Sequence, residues 1–274
     1  MSTTKDDKAV LQKFVSGGLA GACSRTMVAP LDRIKILLQT ASKKGNMKTM
    51  FSSIVREEGL MRLWKGNALN CIRIVPYSAL QFGTYESFKR RMTPESGEMT
   101  VSQRLTCGTM AGLVAASFTH PIDVIRHRIM LDPLSVSTRS VTAALFRESG
   151  YRALFKGYGS TVFSLTPFVA VNFCAFDTMK HVTNSQTSSE ILLLGAASAL
   201  ISQTICYPLD TVRRRMQIPN GGYKHGLDAL LRIVKDEGIR RLYSGLSANA
   251  LKIVPNNSIR FLVYYKVTES VFKN

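Results

Sequence analysis

The sequence lacks the short motifs that mark most enzymes and metal-binding proteins. Its 274 residues contain no glycine-rich phosphate loop, no zinc-ligand spacing and no convincing pairing of a nucleophile with a base. An enzyme is therefore disfavoured, and neither a cofactor nor a metal site is expected. The five cysteines stand singly, without a CxxC pair or a nearby set of histidines, and are expected to be buried free thiols: Cys23, Cys71, Cys107, Cys174 and Cys206.

Acidic residues are also scarce, with 18 Asp and Glu against 36 Lys and Arg and a formal net charge of +18. The chain has no basic tail and no aromatic-rich sheet motif, so a nucleic-acid partner is not expected. The basic residues instead collect in the connection 35–65 and in the stretches after Arg126 and Arg213. Because such connections share one side of a membrane, this distribution predicts three long connections on one side and both termini on the other.

Charges are missing from long segments. Residues 157–176 and 191–209 carry none, and residues 105–122 contain only His120 among ionisable types. Each is long enough to cross a bilayer core, which needs about 20 residues. Mean hydropathy is nevertheless only +0.04, because three further segments contain charges that a spanning helix tolerates only when they face a cavity: 14–31, 68–85 and 248–265. Six amphipathic spans around a wet interior fit these facts, and a soluble, basic, all-helical protein is the alternative.

What the sequence does contain is a threefold repeat. "PLDRIKILLQ" from Pro30 returns as "PIDVIRHRIM" from Pro121 and as "PLDTVRRRMQ" from Pro208. "LWKG", "LFKG" and "LYSG" follow with the same period, as do three later prolines: Pro76, Pro167 and Pro255. Units of this size with two apolar stretches each predict one symmetric bundle of three repeats, over 8–95, 100–185 and 188–274. The first helix of each repeat has two small residues four positions apart, which predicts close helix contacts. The pairs are Gly17 and Gly21, Gly108 and Gly112, and Gly195 and Ala199.

The triplicated Pro-x-Asp-x-x-Lys/Arg phrase, with the aromatic-Lys-Gly phrase after it, resembles the mitochondrial carrier family over nearly the whole chain. The resemblance implies an all-α membrane protein, with six transmembrane helices in a pseudo-threefold barrel and short helices on the matrix side. It further implies a single carrier domain, 1–274, in the inner membrane of a mitochondrion or related organelle. "GNALNCIRIVPYSALQF" and "YPLDTVRRRMQ" are most similar to the nucleotide-related branch.

The resemblance also implies a gate at the matrix side, where the acid and the base after each odd-helix proline pair in cyclic order. The expected pairs are Asp32 with Arg126, Asp123 with Arg213, and Asp210 with Lys35. Carriers of this family brace such bridges with a glutamine seven residues after the aspartate. Gln39 and Gln217 occupy that position and Met130 takes the middle site, so two braces are expected.

A second gate, on the cytoplasmic side, departs from the family pattern. Glu86 and Asp177 lie ten residues after the even-helix prolines of the first two units, and Lys89 and Lys180 lie thirteen after them. The third unit has the uncharged Tyr265 and Thr268 instead. One bridge, Glu86 to Lys180, is therefore expected in place of three.

Aligning the even helices on their prolines predicts the substrate site midway between the gates. The candidates are Arg25, Arg73, Tyr77, Gln81, Ser164, Leu165, Phe168, Asn172, Lys252, Asn256 and Arg260. Four cations converge with no carboxylate at these positions, which predicts a polyanionic substrate because unpaired charges at membrane depth are costly. Guanidinium forks suit phosphate oxygens, and Ser164 and Leu165 beside Phe168 offer an apolar slot for a purine.

The resulting hypothesis is an antiporter of adenine nucleotides of the ADP/ATP type. A coenzyme A or adenosine 3′,5′-phosphate (phosphosulfate) carrier is the alternative, and a non-transporting membrane interaction protein on a carrier scaffold is the alternative of another class. Expected partners are a phosphorylated nucleotide and membrane lipids, with cardiolipin at the matrix-side helices, and the chain is expected to be a monomer. The amino terminus "MSTTKDDKAV" is unlike an acid-poor transit peptide, so any targeting signal is expected to be internal.

Overall fold

The computed structural model describes residues 3–40, 45–93, 97, 99–132, 137–183, 187–218 and 222–272. Those residues form helices and connections without a strand, which confirms the all-α prediction. Six long helices contain all six predicted spans, and each holds one of the repeated prolines: α1 (Thr3–Thr40), α3 (Asn67–Met92), α4 (Val101–Leu131), α6 (Tyr158–Thr183), α7 (Ser188–Met216) and α9 (Leu246–Phe272).

Three short helices connect the long ones within each repeat: α2 (Met47–Glu57), α5 (Thr138–Ser149) and α8 (Gly226–Glu237). Each is followed by a 3₁₀ helix, at Leu60–Trp64, Gly150–Phe155 and Ile239–Tyr243. Their apolar faces pack against the carboxyl-terminal parts of α1, α4 and α7. Three separate apolar cores result, one per repeat, around Ile54, Leu145 and Ile233.

The long helices form a closed ring in the order α1, α3, α4, α6, α7, α9, because α9 packs back against α1. Helices from neighbouring repeats pack more extensively than the two helices of one repeat. α1 also contacts α4 and α7. This arrangement is the predicted pseudo-threefold barrel.

By hydropathy and length alone, one helical stretch of the described chain is apolar enough to cross a membrane. It covers residues 138–180, which contain most of α6, and its most apolar window is almost entirely unburied. The other long helices fall below that level, and several of them carry charges that face the interior of the ring: Arg25 on α1, Arg73 on α3 and Arg213 on α7. Amphipathic helices around a polar interior account for both observations.

The predicted close contacts at small residues are correct at only some positions. A Cβ on Gly21 would lie 3.4 Å from Ile74, and one on Gly112 would lie 3.3 Å from Leu165. Around Gly17, Gly108 and Gly195 no such atom lies within 4 Å. Gly17 and Gly108 line open space inside the barrel, so these glycines widen the interior and do not bring helices together.

The expectation of buried cysteines is likewise correct only in part. Cys107 and Cys206 are buried and Cys71 is half-buried, but Cys23 and Cys174 are exposed. The error has a simple cause, since an apolar run does not reveal which face of the helix is covered by a neighbour. All five thiols are free.

The glycine that ends each aromatic-Lys/Ser-Gly phrase starts the next even helix in a left-handed conformation. Gly66, Gly157 and Gly245 have φ of 79°, 76° and 85°. Each also lies against the odd helix of the following repeat. At Gly245 an added Cβ would lie 3.0 Å from the Lys35 carbonyl oxygen and 3.0 Å from the Tyr207 hydroxyl. Only glycine meets both the backbone and the packing requirement here.

Replacing Gly245 by alanine is expected to destabilise the barrel at the contact between the third and first repeats. Gly222→Ala is the control, because Gly222 also has a positive φ, 67°, and no atom within 4 Å of an added Cβ. Both changes carry about 1–2 kcal/mol of left-handed strain, and Gly245→Ala adds about 1–3 kcal/mol of overpacking. Thermal unfolding in detergent measures the difference. Equal unfolding temperatures for the two variants would contradict the tight packing at Gly245.

Candidate functional site

Three aspartates converge at the ends of α1, α4 and α7, each two residues after the helix proline. The structure brings each one to the base that the resemblance assigned to it. The distances are 2.7 Å from Lys35 Nζ to Asp210 Oδ2, 2.9 Å from Arg126 Nη2 to Asp32 Oδ2, and 3.5 Å from Arg213 Nη2 to Asp123 Oδ2. These six residues form a ring of ion pairs, called the gate ring below, that closes one end of the barrel.

Two of the predicted substrate-binding cations are also bound to the gate ring. Lys252 Nζ lies 2.6 Å from Asp32 Oδ1, and Arg73 Nε lies 3.1 Å from Asp123 Oδ1. The expectation of cations converging without a carboxylate is therefore wrong for this conformation. The alignment compared only even helices, whereas the carboxylates come from the odd helices. Asp32 and Asp123 are each shared between two cations, one from an odd helix of the ring and one from an even helix.

The two expected glutamine braces behave differently. Gln39 Nε2 donates to Asp210 Oδ2 and to Thr211 Oγ1, each at 3.3 Å, and so supports the bridge between α1 and α7. Gln217 is fully buried, but its amide nitrogen and oxygen have no hydrogen-bond partner among the described residues. The second brace is thus absent. Gln217 caps the end of α7, and its side chain packs beside Gly157, away from the ring.

The interior of the barrel contains two neighbouring cavities of about 270 Å³ and 350 Å³. Tyr77 and Gln81 line both of them. The smaller is also lined by Arg25 and Asn256. The larger is lined by the predicted apolar slot, Ser164, Leu165 and Phe168, and reaches the gate ring at Asp210 and Arg213. The structure thus collects seven of the predicted substrate residues around one interior space.

The remaining predicted residues are placed as follows. Arg25 Nη1 donates to Asn70 Oδ1 at 2.8 Å, and the Arg73 guanidinium lies over the Tyr77 ring at 5.2 Å. Asn172 Oδ1 accepts from Ser202 Oγ at 3.5 Å. Arg260 belongs to α9, but its side chain lies outside the described residues.

At the opposite end of the barrel the acids of the second gate, Glu86 and Asp177, are half-buried, whereas Lys89 and Lys180 are exposed. Among the described residues no ion pair joins Glu86 to Lys180, so this end is not locked by the expected bridge. Tyr265 and Thr268 lie on α9, with side chains outside the described residues. In the part of the chain that the structure describes, the ion pairs between different repeats are thus those made by the aspartates of the gate ring.

Sequence reasoning missed a second set of ion pairs, which tie the short helices to α1, α4 and α7. Arg128 binds Glu148 at 2.9 Å, and Arg215 binds Glu237, which also accepts from Arg241. Arg128 and Arg215 both lie seven residues after a helix proline. The first repeat has Leu37 at that position, and Arg33 binds Glu58 in its place at 2.7 Å. The sequence signal for these pairs is an arginine seven residues after the helix proline, together with an acidic residue shortly before the glycine that follows the short helix.

A comparison with protein families now decides the class of the protein. The model of the mitochondrial carrier protein family matches three times, over residues 6–96, 97–187 and 184–274. The chain belongs to the mitochondrial carrier family. As a carrier it is a transporter and not an enzyme.

Curated relatives of this carrier include several nucleotide transporters. A thylakoid ADP,ATP carrier protein of Arabidopsis thaliana chloroplasts is 37% identical over 92% of this chain, which spans 63% of that protein's length. A mitochondrial coenzyme A transporter of Mus musculus is 36% identical over 92% of this chain and 85% of its own length. Substrate carrier family protein A of Dictyostelium discoideum is 36% identical over 92% and 82%. The carrier is thus similar to adenine nucleotide and coenzyme A transporters.

The Arg215–Glu237 pair is expected to stabilise the carrier in a pH-dependent way. The hydrogen bond from Arg215 holds the pKa of Glu237 below its usual 4.5. Its contribution is therefore complete above about pH 4.5 and is lost as the pH falls further. Glu237→Gln should lower the unfolding temperature at pH 7 by about 2–5 °C and flatten the acid limb of the stability curve. Asp236→Asn, at the exposed neighbouring residue, is the control. Equal effects of the two changes would contradict the role of the ion pair.

Proposed function

We propose that this carrier exchanges adenine nucleotides of the ADP/ATP type by alternating access through the central cavity. The observation that carries the proposal is the set of cations in and beside the cavities. Arg25 lines the smaller cavity and Arg213 the larger, and Lys252 and Arg73 are held by carboxylates that already have a second cation. A ligand with several phosphate oxygens would match this excess of positive charge.

The larger cavity supports the adenine half of the proposal. Leu165 and Phe168 line one side of it, and Gln81 and Gln203 offer amide groups. An aromatic side chain next to an aliphatic one suits a flat purine ring, and an amide can hydrogen-bond its edge. Because Tyr77 and Gln81 line both cavities, a base in the larger space could reach Arg25 with its phosphates.

The shared cations would also couple substrate binding to opening of the gate ring. Phosphate oxygens compete with Asp123 for Arg73 and with Asp32 for Lys252. Once either cation turns to the substrate, its aspartate keeps a single partner and the ring is weakened. Two separate cations must be withdrawn, so a substrate with at least two phosphate groups is favoured over a monophosphate.

Coenzyme A is the second candidate, because this chain is 36% identical to a coenzyme A transporter and coenzyme A also carries an adenosine with several phosphates. An adenosine 3′,5′-phosphate compound shares that chemistry. We assign the carrier to a mitochondrial inner membrane, with the gate ring and α2, α5 and α8 on the matrix side and cardiolipin bound beside those short helices. The intact aspartates of the ring weigh against a non-transporting interaction protein.

The proposal is tested with purified carrier in liposomes, by uptake of labelled ADP, ATP, AMP, coenzyme A and an amino acid. ADP or ATP uptake that requires an internal nucleotide is expected. Arg25→Gln should reduce uptake at least tenfold, about 1.4 kcal/mol for one lost charge-assisted hydrogen bond. Arg139→Gln, at an exposed residue of α5, should have no effect. Full uptake by Arg25→Gln would reject the phosphate site, and uptake of coenzyme A alone would replace the first substrate by the second.

Charge exchange tests whether the gate ring must close in each cycle. Lys35→Asp or Asp210→Lys alone should abolish uptake, because each leaves like charges facing in a buried ring. The double change should restore part of it. The same exchange at Asp123 and Arg213 should restore less, since the new cation would face Arg73, which lies at 3.1 Å, closer than the 3.6 Å of Arg214 from Asp210. Equal inactivity of single and double variants at Lys35 and Asp210 would argue against the gate.

A further inference from the structure

The corner of the gate ring between α4 and α7 contains a contact that the other two corners lack. Arg214 Nη1 lies 2.5 Å from His127 Nε2. Both residues lie six positions after their helix prolines, and the equivalent residue of the first repeat is Ile36, which is buried. The polar contact is therefore confined to the helix pair that also carries the bridge from Asp123 to Arg213.

That bridge is the one most in need of support. Its 3.5 Å separation is the longest of the three, against 2.7 Å and 2.9 Å for the others. Gln39 braces the bridge made by Lys35, the base of the same repeat. At the equivalent position of the third repeat, Gln217 would brace the bridge made by Arg213. Its amide instead has no partner among the described residues.

The hydrogen-bonding groups of this contact determine the protonation state of His127. A guanidinium has N–H groups only and donates, so Nε2 must accept and the imidazole must be neutral. His127 is 2% exposed, and the strongest charges acting on it are cationic: Arg126 on its own helix, Arg213 and Arg214 on α7, and Arg73 on α3. Asp123, four residues before it on α4, is already paired with Arg73 and Arg213. A proton on His127 would remove the acceptor and add a fifth positive charge.

We propose that neutral His127 is the positioning residue that braces the α4–α7 corner of the gate ring, accepting a hydrogen bond from Arg214 in place of the absent glutamine brace. His127 acts through Arg214 and does not contact substrate. The inference concerns the closed ring itself, and it rests on the proposed function only in treating that ring as a gate. A consequence is that acidification lowers the free energy of unfolding, because His127 must stay neutral in the folded carrier and can take up a proton once the chain unfolds.

The test uses the full-length, substrate-free carrier in detergent, with thermal unfolding measured from pH 8 to pH 5.5. His127→Leu removes the acceptor and should lower the unfolding temperature at pH 8 by about 3–10 °C, as for one lost hydrogen bond to a charged group. His127→Gln keeps a neutral acceptor, so it should retain most of the stability and lose part of the pH dependence. His120→Gln, on the same helix but bonded to the Lys156 carbonyl oxygen, is the control for the cycle below, and its loss of stability should add to that of Arg214→Leu.

A double-mutant cycle with Arg214→Leu completes the test. If His127 and Arg214 stabilise each other, the double variant should be no less stable than the less stable of the two single variants. The proposal is overturned if the two losses are additive, if His127→Gln is as unstable as His127→Leu, or if His127→Gln keeps the full pH dependence. Should His127→Leu not fold, the pH profile of His127→Gln still decides. Because no substrate is added, failure of nucleotide uptake would reject the proposed function and leave this result standing.

Discussion

Three carboxylates buried at one end of the barrel are the constraint on which the rest of the site depends. A carboxylate away from water needs a cation, and removing one partner of a buried pair costs about 3–5 kcal/mol. Asp32 and Asp123 meet this need twice over, with one cation from an odd helix and one from an even helix. Asp210 takes Lys35, the Gln39 amide and, at 3.6 Å, Arg214 of its own helix. The ring therefore draws the even helices, as well as the odd ones, toward a single centre.

The threefold symmetry is carried by the scaffold and is broken in the interior. Prolines, left-handed glycines and the ion pairs of the short helices recur in every repeat, although Arg33 reaches Glu58 from a different position than Arg128 or Arg215 use. Inside the barrel the three even helices contribute different side chains. A symmetric wall with an asymmetric lining suits a ligand that has a charged end and an apolar end.

The sequence was sufficient for the architecture because period, proline and glycine act locally along the chain. The pairs of the gate ring followed from the resemblance for the same reason, since each lies at a fixed step from a proline. The contacts of Arg73 and Lys252 did not follow, because long side chains reach a different level of a neighbouring helix. The prediction of a brace at Gln217 was wrong because helix spacing does not specify the direction of a side chain at a helix end. The prediction of a buried Cys23 was wrong because helix spacing does not specify which face of the helix has a neighbour.

The double use of Arg73 and Lys252 sets a limit on how stable the closed ring can be. If these cations bound their aspartates too well, a phosphate could not displace them, and if they bound too weakly, the carboxylates would be left short of charge. The distances differ between the aspartates. Asp123 lies 3.1 Å from Arg73 and 3.5 Å from Arg213, and no glutamine among the described residues braces it. Asp210 lies 2.7 Å from Lys35 and also accepts a hydrogen bond from Gln39. Under the proposed exchange, Asp123 is therefore the carboxylate whose cation is easiest to withdraw, and opening of the ring would begin at the α4–α7 corner.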